Sequence, residues 1–226
     1  DDPRSDIALE RISEVLKVEK PDLVVFTGDM VYGKPVEKAM ETVMRQVACR
    51  KIPFAVTFGN HDKEYGVSNE EFYDLIRTIP YNMLPPREDG CIDFEIELAG
   101  TDGKLVNVLY MIDSQSYDWE EKHYEWILPE QIERFRRVSG RYTQANGGVS
   151  VPSLAFFHIP LPELGHAAEN QDAPLWGTRM EKCCAPDYNS GMYSAMSDCG
   201  NILAIFNGHD HDNDYVTKVG EIYMCY

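Results

Sequence analysis

Five side chains that can bind a transition metal lie at or just after the ends of apolar runs in the sequence. They are Asp29, Asn60, His158, His209 and His211. Each run is short and bounded by turn residues, which predicts a buried β-strand. Because ligand sites in α/β proteins lie outside the carboxyl ends of strands, we expect these side chains to converge. Their mixed oxygen and nitrogen donors favour zinc, manganese or iron over calcium.

Each motif also has a purely structural interpretation. Gly28-Asp29 alone is typical of a turn at the start of a helix, and Gly59-Asn60 is typical of a polar turn. His158 alone is typical of a hydrogen-bonded core residue. Gly208-His209-Asp210-His211 is more specific, because two imidazoles that flank one residue can reach neighbouring ions. Four of the six histidines fall inside these motifs, which favours one shared site over separate structural roles.

The segments between the first motifs alternate between helical and strand patterns. Apolar residues at helical spacing predict one helix that ends before Pro21 and another from about Pro35 to Arg50. The continuous apolar run 23–26 predicts a strand buried on both faces, and 54–58 predicts the next strand. The alternation indicates an α/β protein.

The second half of the chain adds an antiparallel pair and further strands. Segments 92–98 and 106–112 are predicted to form a hairpin, and a helix is predicted after Pro129. Strands are predicted at 154–157 and 202–206, and two short strands close the chain. The last two long strands therefore end at the histidine motifs.

Four motifs, in this order, resemble those of the calcineurin-like metallophosphoesterase superfamily: Thr27-Gly28-Asp29, Gly59-Asn60-His61-Asp62, Phe157-His158 and Gly208-His209-Asp210-His211. The resemblance spans nearly the whole chain. It is closest to the purple acid phosphatase branch, through Gly28-Asp29-Met30-Val31-Tyr32, Asn189-Ser190-Gly191 and the run from Gly208 to Tyr215. It implies an α/β fold of the metallophosphoesterase type, a two-sheet sandwich flanked by helices in four layers, α/β/β/α.

The resemblance also implies roles for single residues. Asp29 would bridge two metal ions, one of them completed by Asn60, His158 and His209, and His211 would bind the other. Tyr32 stands where purple acid phosphatases supply a tyrosinate to ferric iron, and a tyrosine that packs behind the loop is an equally open interpretation. His61 would steady the phosphoryl oxygens or protonate the leaving alkoxide, with Asp62 as its orienting partner.

The first motif of the family, an aspartate on a strand ahead of the first helix, has no counterpart here. Neither Asp1-Asp2-Pro3 nor Asp6-Ile7-Ala8 follows a strand. We therefore predict a single domain, residues 1–226, truncated at both ends, whose first core strand and its aspartate lie upstream of Asp1. Without that aspartate, occupancy of the second ion is in question.

The implied function is hydrolysis of a small phosphate ester, as a monoesterase or a diesterase. Two ions, divalent or of mixed valence and drawn from Fe, Mn or Zn, would clamp the phosphate and lower the pKa of a shared water. The missing first motif makes a second function plausible, that of a protein which binds metal but is catalytically silent.

The composition limits the partners. With 21 Lys and Arg against 38 Asp and Glu, the formal net charge of -17 disfavours binding to duplex nucleic acid. No apolar run is long enough to span a membrane. The sequence leaves the oligomeric state open.

The cysteines and the remaining polar residues are less informative. We expect free buried thiols at Cys49, Cys91 and Cys225, and a bridge from Cys183 or Cys184 to Cys199 if the protein is exported, the location that we favour. His123 is expected to face solvent. His166 is expected on the loop after the His158 strand, with substrate contact as a minor alternative. Asn189-Ser190-Gly191 is expected either as a polar lip over the metals or as a helix start capped by Ser190.

Overall fold

The computed structural model describes residues 3–87, 91–118, 120, 123–170 and 172–226. Packing divides the chain into two compact units. The first consists of the described residues within Asp1–Phe26, Met30–Val56 and His61–Ile92, and the second of those within Thr27–Asp29, Thr57–Asn60 and Asp93–Tyr226. Two short segments that carry predicted site residues therefore pack with the second unit.

The described residues of the first unit form three helices and all but the last residue of two strands, since Thr27 and Thr57 pack with the second unit. They are α1 (Pro3–Glu19), β1 (Val24–Thr27), α2 (Val36–Ala48), β2 (Phe54–Thr57) and α3 (Asn69–Arg77). β1 and β2 form a two-stranded sheet. α3, which the helical spacing did not predict, begins with a capping box: the Ser68 hydroxyl accepts the Glu71 N–H, and the Glu71 carboxylate accepts the Ser68 N–H.

The burial of β1 differs from the prediction. All four residues of β2 are buried, as expected, whereas all four residues of β1 are only partly buried. Among the strands that the structure describes, β1 pairs only with β2, and its four residues keep partial solvent exposure. The prediction of burial on both faces is therefore wrong for β1, and the strand upstream of Asp1 stays a prediction.

The second unit is built on a seven-stranded mixed sheet in the order β3-β4-β7-β9-β11-β10-β8. Its strands are β3 (Phe94–Ala99), β4 (Leu105–Met111), β7 (Ser153–Phe156), β8 (Leu175–Thr178), β9 (Ile202–Phe206), β10 (Asp214–Val219) and β11 (Ile222–Cys225). The other elements are β5 (Tyr117–Asp118), β6 (His123–Tyr124), α4 (Pro129–Ala145), α5 (Pro162–Glu169) and α6 (Met192–Cys199). The predicted hairpin is confirmed, because β3 pairs antiparallel with β4.

The centre of this sheet positions the predicted histidines. β4, β7, β9 and β11 run parallel, and Phe156 of β7 is the register partner of Phe206 of β9. Both strands therefore deliver the residues that follow them to the same sheet edge. α4 and α6 cover one face, where Phe135, Met192 and Met196 belong to a continuous buried cluster with Tyr110.

These observations confirm the predicted fold class, a mixed α/β protein with a large sheet flanked by helices. The division into one domain stays a prediction. Asp1 and Asp2 lie outside the described residues, as do Trp119, Glu121 and Lys122 of the stretch 115–126, while Asp6 lies within α1. None of the helices formed by the described residues is long and apolar enough to cross a bilayer.

Candidate metal centre

Glycines allow the loops of this centre to approach each other closely. Gly28 has a φ of +96°, and a Cβ there would lie 2.5 Å from His158 Nδ1. A Cβ on Gly59 would lie 2.1 Å from Asp29 Oδ1. Real Cβ atoms essentially never make contacts this short. The glycines of the sequence motifs are therefore required by the packing of one ligand loop on another.

Nε2 of His158 lies at the middle of the predicted ligands. It is 3.0 Å from Asp29 Oδ2 and 3.1 Å from Asn60 Oδ1. It is 3.2 Å from His209 Nδ1. The candidate ligand atoms of Asp29, His158 and His209 all lie within 4.8 Å of one another. The structure thus brings together four of the residues that the sequence singles out.

The hydrogen bond on the far side of the His158 ring favours one tautomer. The ring is buried, and Nδ1 lies 2.7 Å from the carbonyl oxygen of Thr27. A carbonyl oxygen can only accept, so Nδ1 carries the proton and donates it. In the neutral ring this leaves the lone pair on Nε2 facing the group, which is the arrangement of a metal-binding histidine.

Asn60 is fully buried and its amide is held at both ends. Its Oδ1 faces His158, and its Nδ2 donates to the Tyr117 hydroxyl at 2.6 Å. The Ser116 hydroxyl donates to the Asn60 backbone carbonyl at 3.2 Å. The amide oxygen, the only atom of this side chain that can bind a cation, is thereby directed into the group.

His209 is held by the loop that follows β9. The Gly208 N–H donates to the His158 carbonyl at 3.2 Å, and the Tyr124 ring meets the His209 ring edge-on at 4.6 Å. Asp210, which is buried, accepts the Cys184 N–H at 3.0 Å and the Tyr226 hydroxyl. These contacts fix the turn between the two histidines.

Two of the candidate ligands have unusual backbone conformations. Asp29 has a φ of +52° and His209 a φ of +83°. Left-handed φ values are uncommon outside glycine and concentrate at functional sites, where the surrounding packing enforces them. The sequence motifs do not predict this strain, because in each motif the glycine, which adopts positive φ readily, precedes the ligand and does not occupy its position.

The donor set fits a metal ion. Two atoms that each bind one ion at about 2.1 Å lie about 3.0–3.4 Å apart at octahedral or tetrahedral angles, which is the spacing observed around His158 Nε2. The oxygens of Asp29 and Asn60 that face the group can only accept. An ion would satisfy them together with both imidazoles.

The remaining predicted site residues lie outside this group. His211 is exposed. Tyr32 belongs to the first unit, is 73% exposed, and places its ring against His61 and Tyr65 at centroid distances of 5.4 and 5.6 Å. Asp62 is buried and accepts the Val31 N–H at 3.2 Å. The roles proposed for these three side chains stay predictions.

His61 has a partner that the sequence analysis did not consider. Its Nδ1 lies 2.6 Å from Oε1 of Glu64, three residues further along the chain. A carboxylate on Nδ1 orients an imidazole and favours the proton on that nitrogen. Glu64 is thus an orienting partner of His61.

Three weaker expectations can be compared with the structure. His123 is exposed, as expected for a solvent-facing residue, and its Nδ1 lies 2.8 Å from Oδ2 of Asp187. His166 lies on α5 and not on a loop. Ser190 does not cap α6, because the N-cap residue is Gly191 and no side chain caps the helix. Asn189 donates to Glu163 at 2.7 Å.

The cysteines are all free thiols in this structure. The expectation of a buried thiol is confirmed for Cys225 and is wrong for Cys49, which is exposed at the end of α2. Cys183 Sγ lies 3.2 Å from the Tyr226 hydroxyl oxygen, and burial raises the pKa of its thiol to about 12. Its thiol is therefore neutral and hydrogen-bonded within the core.

Sequence reasoning missed the two tyrosines beside the ligands, Tyr117 and Tyr124. They lie on strands of two residues each, too short to give a periodic signal. Burial raises the pKa of Tyr124 to about 12, so its hydroxyl stays protonated at neutral pH. The aromatic content of 115–126 was the only available sign.

Comparison with known proteins identifies relatives that align with most of this chain. The chain is 29% identical to Probable inactive purple acid phosphatase 14 and 31% identical to Probable inactive purple acid phosphatase 29, both of Arabidopsis thaliana. It is 32% identical to Phosphatase DCR2 of Saccharomyces cerevisiae. Each alignment covers 95% of this chain but only 60%, 61% and 41% of these relatives, respectively.

A match to a protein family covers most of the chain and is not confined to the motifs. The calcineurin-like phosphoesterase family matches residues 4–213, which include every candidate ligand. The similarity to proteins named as purple acid phosphatases confirms the resemblance to that branch. The chain therefore belongs to the calcineurin-like phosphoesterase family.

Proposed function

We propose that this chain is a metal-dependent phosphoesterase that hydrolyses small phosphate esters. The observation that carries the proposal is the convergence of Asp29, Asn60 and His209 on the Nε2 atom of His158, at 3.0 to 3.2 Å. Carboxylate, amide and imidazole groups gathered in this way suit a cation, and a cation would give this strongly acidic protein a place where a phosphate anion can bind.

Asp29, Asn60, His158 and His209 would hold one ion, and Asp29 would also help to hold a second ion together with His211 and Tyr32. When bound, iron, manganese or zinc ions at such a site polarise the phosphate, lower the pKa of a water and neutralise charge in the transition state. The contacts of Asp29, Asn60 and His209 with His158 support the first of these two sites.

His61 is the proposed proton donor or phosphoryl-binding group. It follows Asn60 directly in the sequence, and Glu64 fixes the orientation of its ring through Nδ1. A histidine held in this way can donate from the opposite ring nitrogen to a phosphoryl oxygen or to the departing alkoxide. Asp62 is buried and accepts the Val31 N–H, a hydrogen bond that helps to fix the turn that carries His61.

The test is turnover of a generic aryl phosphate by the metal-loaded chain. We expect His158→Ala to lower turnover by about 100-fold or more, because a lost ligand loses the ion and its charge. The control is His123→Ala, whose exposed ring pairs only with exposed Asp187 among the described residues, and we expect less than a twofold change. Equal losses in both variants would refute the proposal.

A second candidate is a protein that binds metal but is catalytically silent. The observation in its favour is that two relatives carry the words "probable inactive" in their names. Stoichiometric metal binding that Asn60→Ala abolishes, together with no turnover of mono- or diesters by the wild type, would support it. Measurable turnover that His61→Ala abolishes without loss of metal would exclude it.

A further inference from the structure

Two tyrosines of the short β5–β6 pair lie against two of the candidate ligands. Tyr117 and Tyr124 are register partners, and their rings stack at a centroid distance of 5.3 Å. Tyr117 contacts Asn60 through its hydroxyl, and Tyr124 contacts His209 through its ring. The pair therefore touches the metal group from a segment that supplies none of the proposed ligands.

The contact with Asn60 decides which end of the amide faces the metal group. The oxygen and nitrogen ends of an amide are nearly equal in size, but only the oxygen can bind a cation. Asn60 is fully buried, so its NH₂ group needs an acceptor wherever it points. The Tyr117 oxygen, at 2.6 Å, accepts that N–H on the side away from His158.

Loss of this acceptor would favour the opposite orientation. A buried N–H without a partner is costly, because it loses its hydrogen bond to water and gains none in return. If the amide turned over, its NH₂ could donate to His158 Nε2, which lies 3.1 Å from Oδ1 in the present arrangement. That orientation would remove the oxygen from the ion and direct two protons toward it.

We propose that Tyr117 is a positioning residue for metal binding, whose hydroxyl holds the amide oxygen of Asn60 toward the ion while Tyr124 packs behind it against His209. This inference rests on the metal centre of the proposed function. It assigns a role to the aromatic segment 115–126, in which the sequence shows no motif.

The test is titration of metal-free protein with Mn²⁺, followed by calorimetry, and with Co²⁺, followed by its visible absorption. We expect Tyr117→Phe to weaken binding by 10- to 100-fold, the range typical of residues that orient metal ligands, and to change the Co²⁺ spectrum. Tyr110→Phe is the matched control, because the buried Tyr110 hydroxyl also accepts an asparagine N–H, from Asn201 at 3.4 Å, within the core. We expect the control to bind metal as the wild type does.

A second variant separates orientation of the amide from general structural support. Asn60→Asp has oxygen at both ends of the side chain, so it needs no orienting partner. In that background Tyr117→Phe should change metal affinity by less than about threefold. An equal loss from Tyr117→Phe in the wild-type background and in the Asn60→Asp background would show that Tyr117 only supports the fold, and would overturn the inference.

The outcomes also distinguish this inference from the proposed function. If the wild type binds metal, Asn60→Ala does not, and Tyr117→Phe binds as tightly as the wild type, the inference fails and the metal centre stands. If the wild type and Asn60→Ala bind metal equally, the metal centre itself is refuted, and the inference falls with it.

Discussion

Replacement of Gly59 by alanine tests the close packing of the ligand loops. A Cβ at this position would lie 2.1 Å from Asp29 Oδ1, whereas ordinary contacts begin at 3.4 Å, so one atom has to move by about 1.3 Å (3.4 − 2.1). Metal–ligand distances tolerate only about 0.2 Å. We therefore expect Mn²⁺ binding to weaken by about 100-fold or more, and overpacking to lower stability by about 1–3 kcal/mol.

The assay is calorimetric titration of metal-free protein, with urea unfolding as the measure of stability. Gly140→Ala is the matched control, because it makes the same chemical change within α4, where an added Cβ has no neighbour within 4 Å. We expect the control to raise stability by up to about 1 kcal/mol and to leave metal binding unchanged. Binding by Gly59→Ala within threefold of the wild type would refute the assignment of Asp29 as a ligand.

Three further changes test the fold around this centre. Burial raises the pKa of the Asp93 carboxyl from 3.8 to about 6, so the folded state binds a proton there more tightly than the unfolded state does. The free energy of unfolding should therefore fall by about 3 kcal/mol from this group as the pH rises from about 4 to 7. Urea unfolding of Asp93→Asn should lack this fall, and parallel pH profiles would contradict the reasoning. Ser68→Ala removes the N-cap of α3 and should lower the free energy of unfolding by about 1 kcal/mol. An unchanged melting temperature would contradict the role of this cap. Phe135→Ala should lower the free energy of unfolding in urea by about 3–5 kcal/mol, because the ring is buried and its centroid lies 5.0 Å from that of Tyr110. A loss below about 1 kcal/mol would show that neighbouring side chains fill the cavity.

The convergence of the ligands could be predicted from the sequence because a buried strand can be recognised there as a short apolar run. The apolar runs before His158 and His209 are strands that lie side by side in the sheet, so the polar residues after them meet at one edge. The glycines next to Asp29 and Asn60 were also legible as turn residues. Their close packing, which excludes any side chain at Gly59, depends on loops from distant parts of the chain and has no local signal.

What the sequence did not reveal depends on tertiary neighbours. β1 and β2 have similar apolar runs, but only β2 is fully buried, because burial depends on what covers a strand and not on its composition. Tyr117 and Tyr124 lie on two-residue strands that no periodicity can detect. The capping box of α3, by contrast, has a local signal in the sequence, because Ser68 and Glu71 have the spacing of that motif.

The long separations in sequence within the metal group have a consequence for folding. The contact of His158 with Thr27 closes a span of 131 residues, and its contact with Asn60 closes a span of 98. Chain entropy opposes such long-range closures, so they are expected to form late, after the local hairpin of β3 and β4. An ion that binds only the completed group would then interact with the native state more strongly than with the folding transition state. We expect such an ion to slow unfolding in proportion to its affinity and to leave the folding rate nearly unchanged.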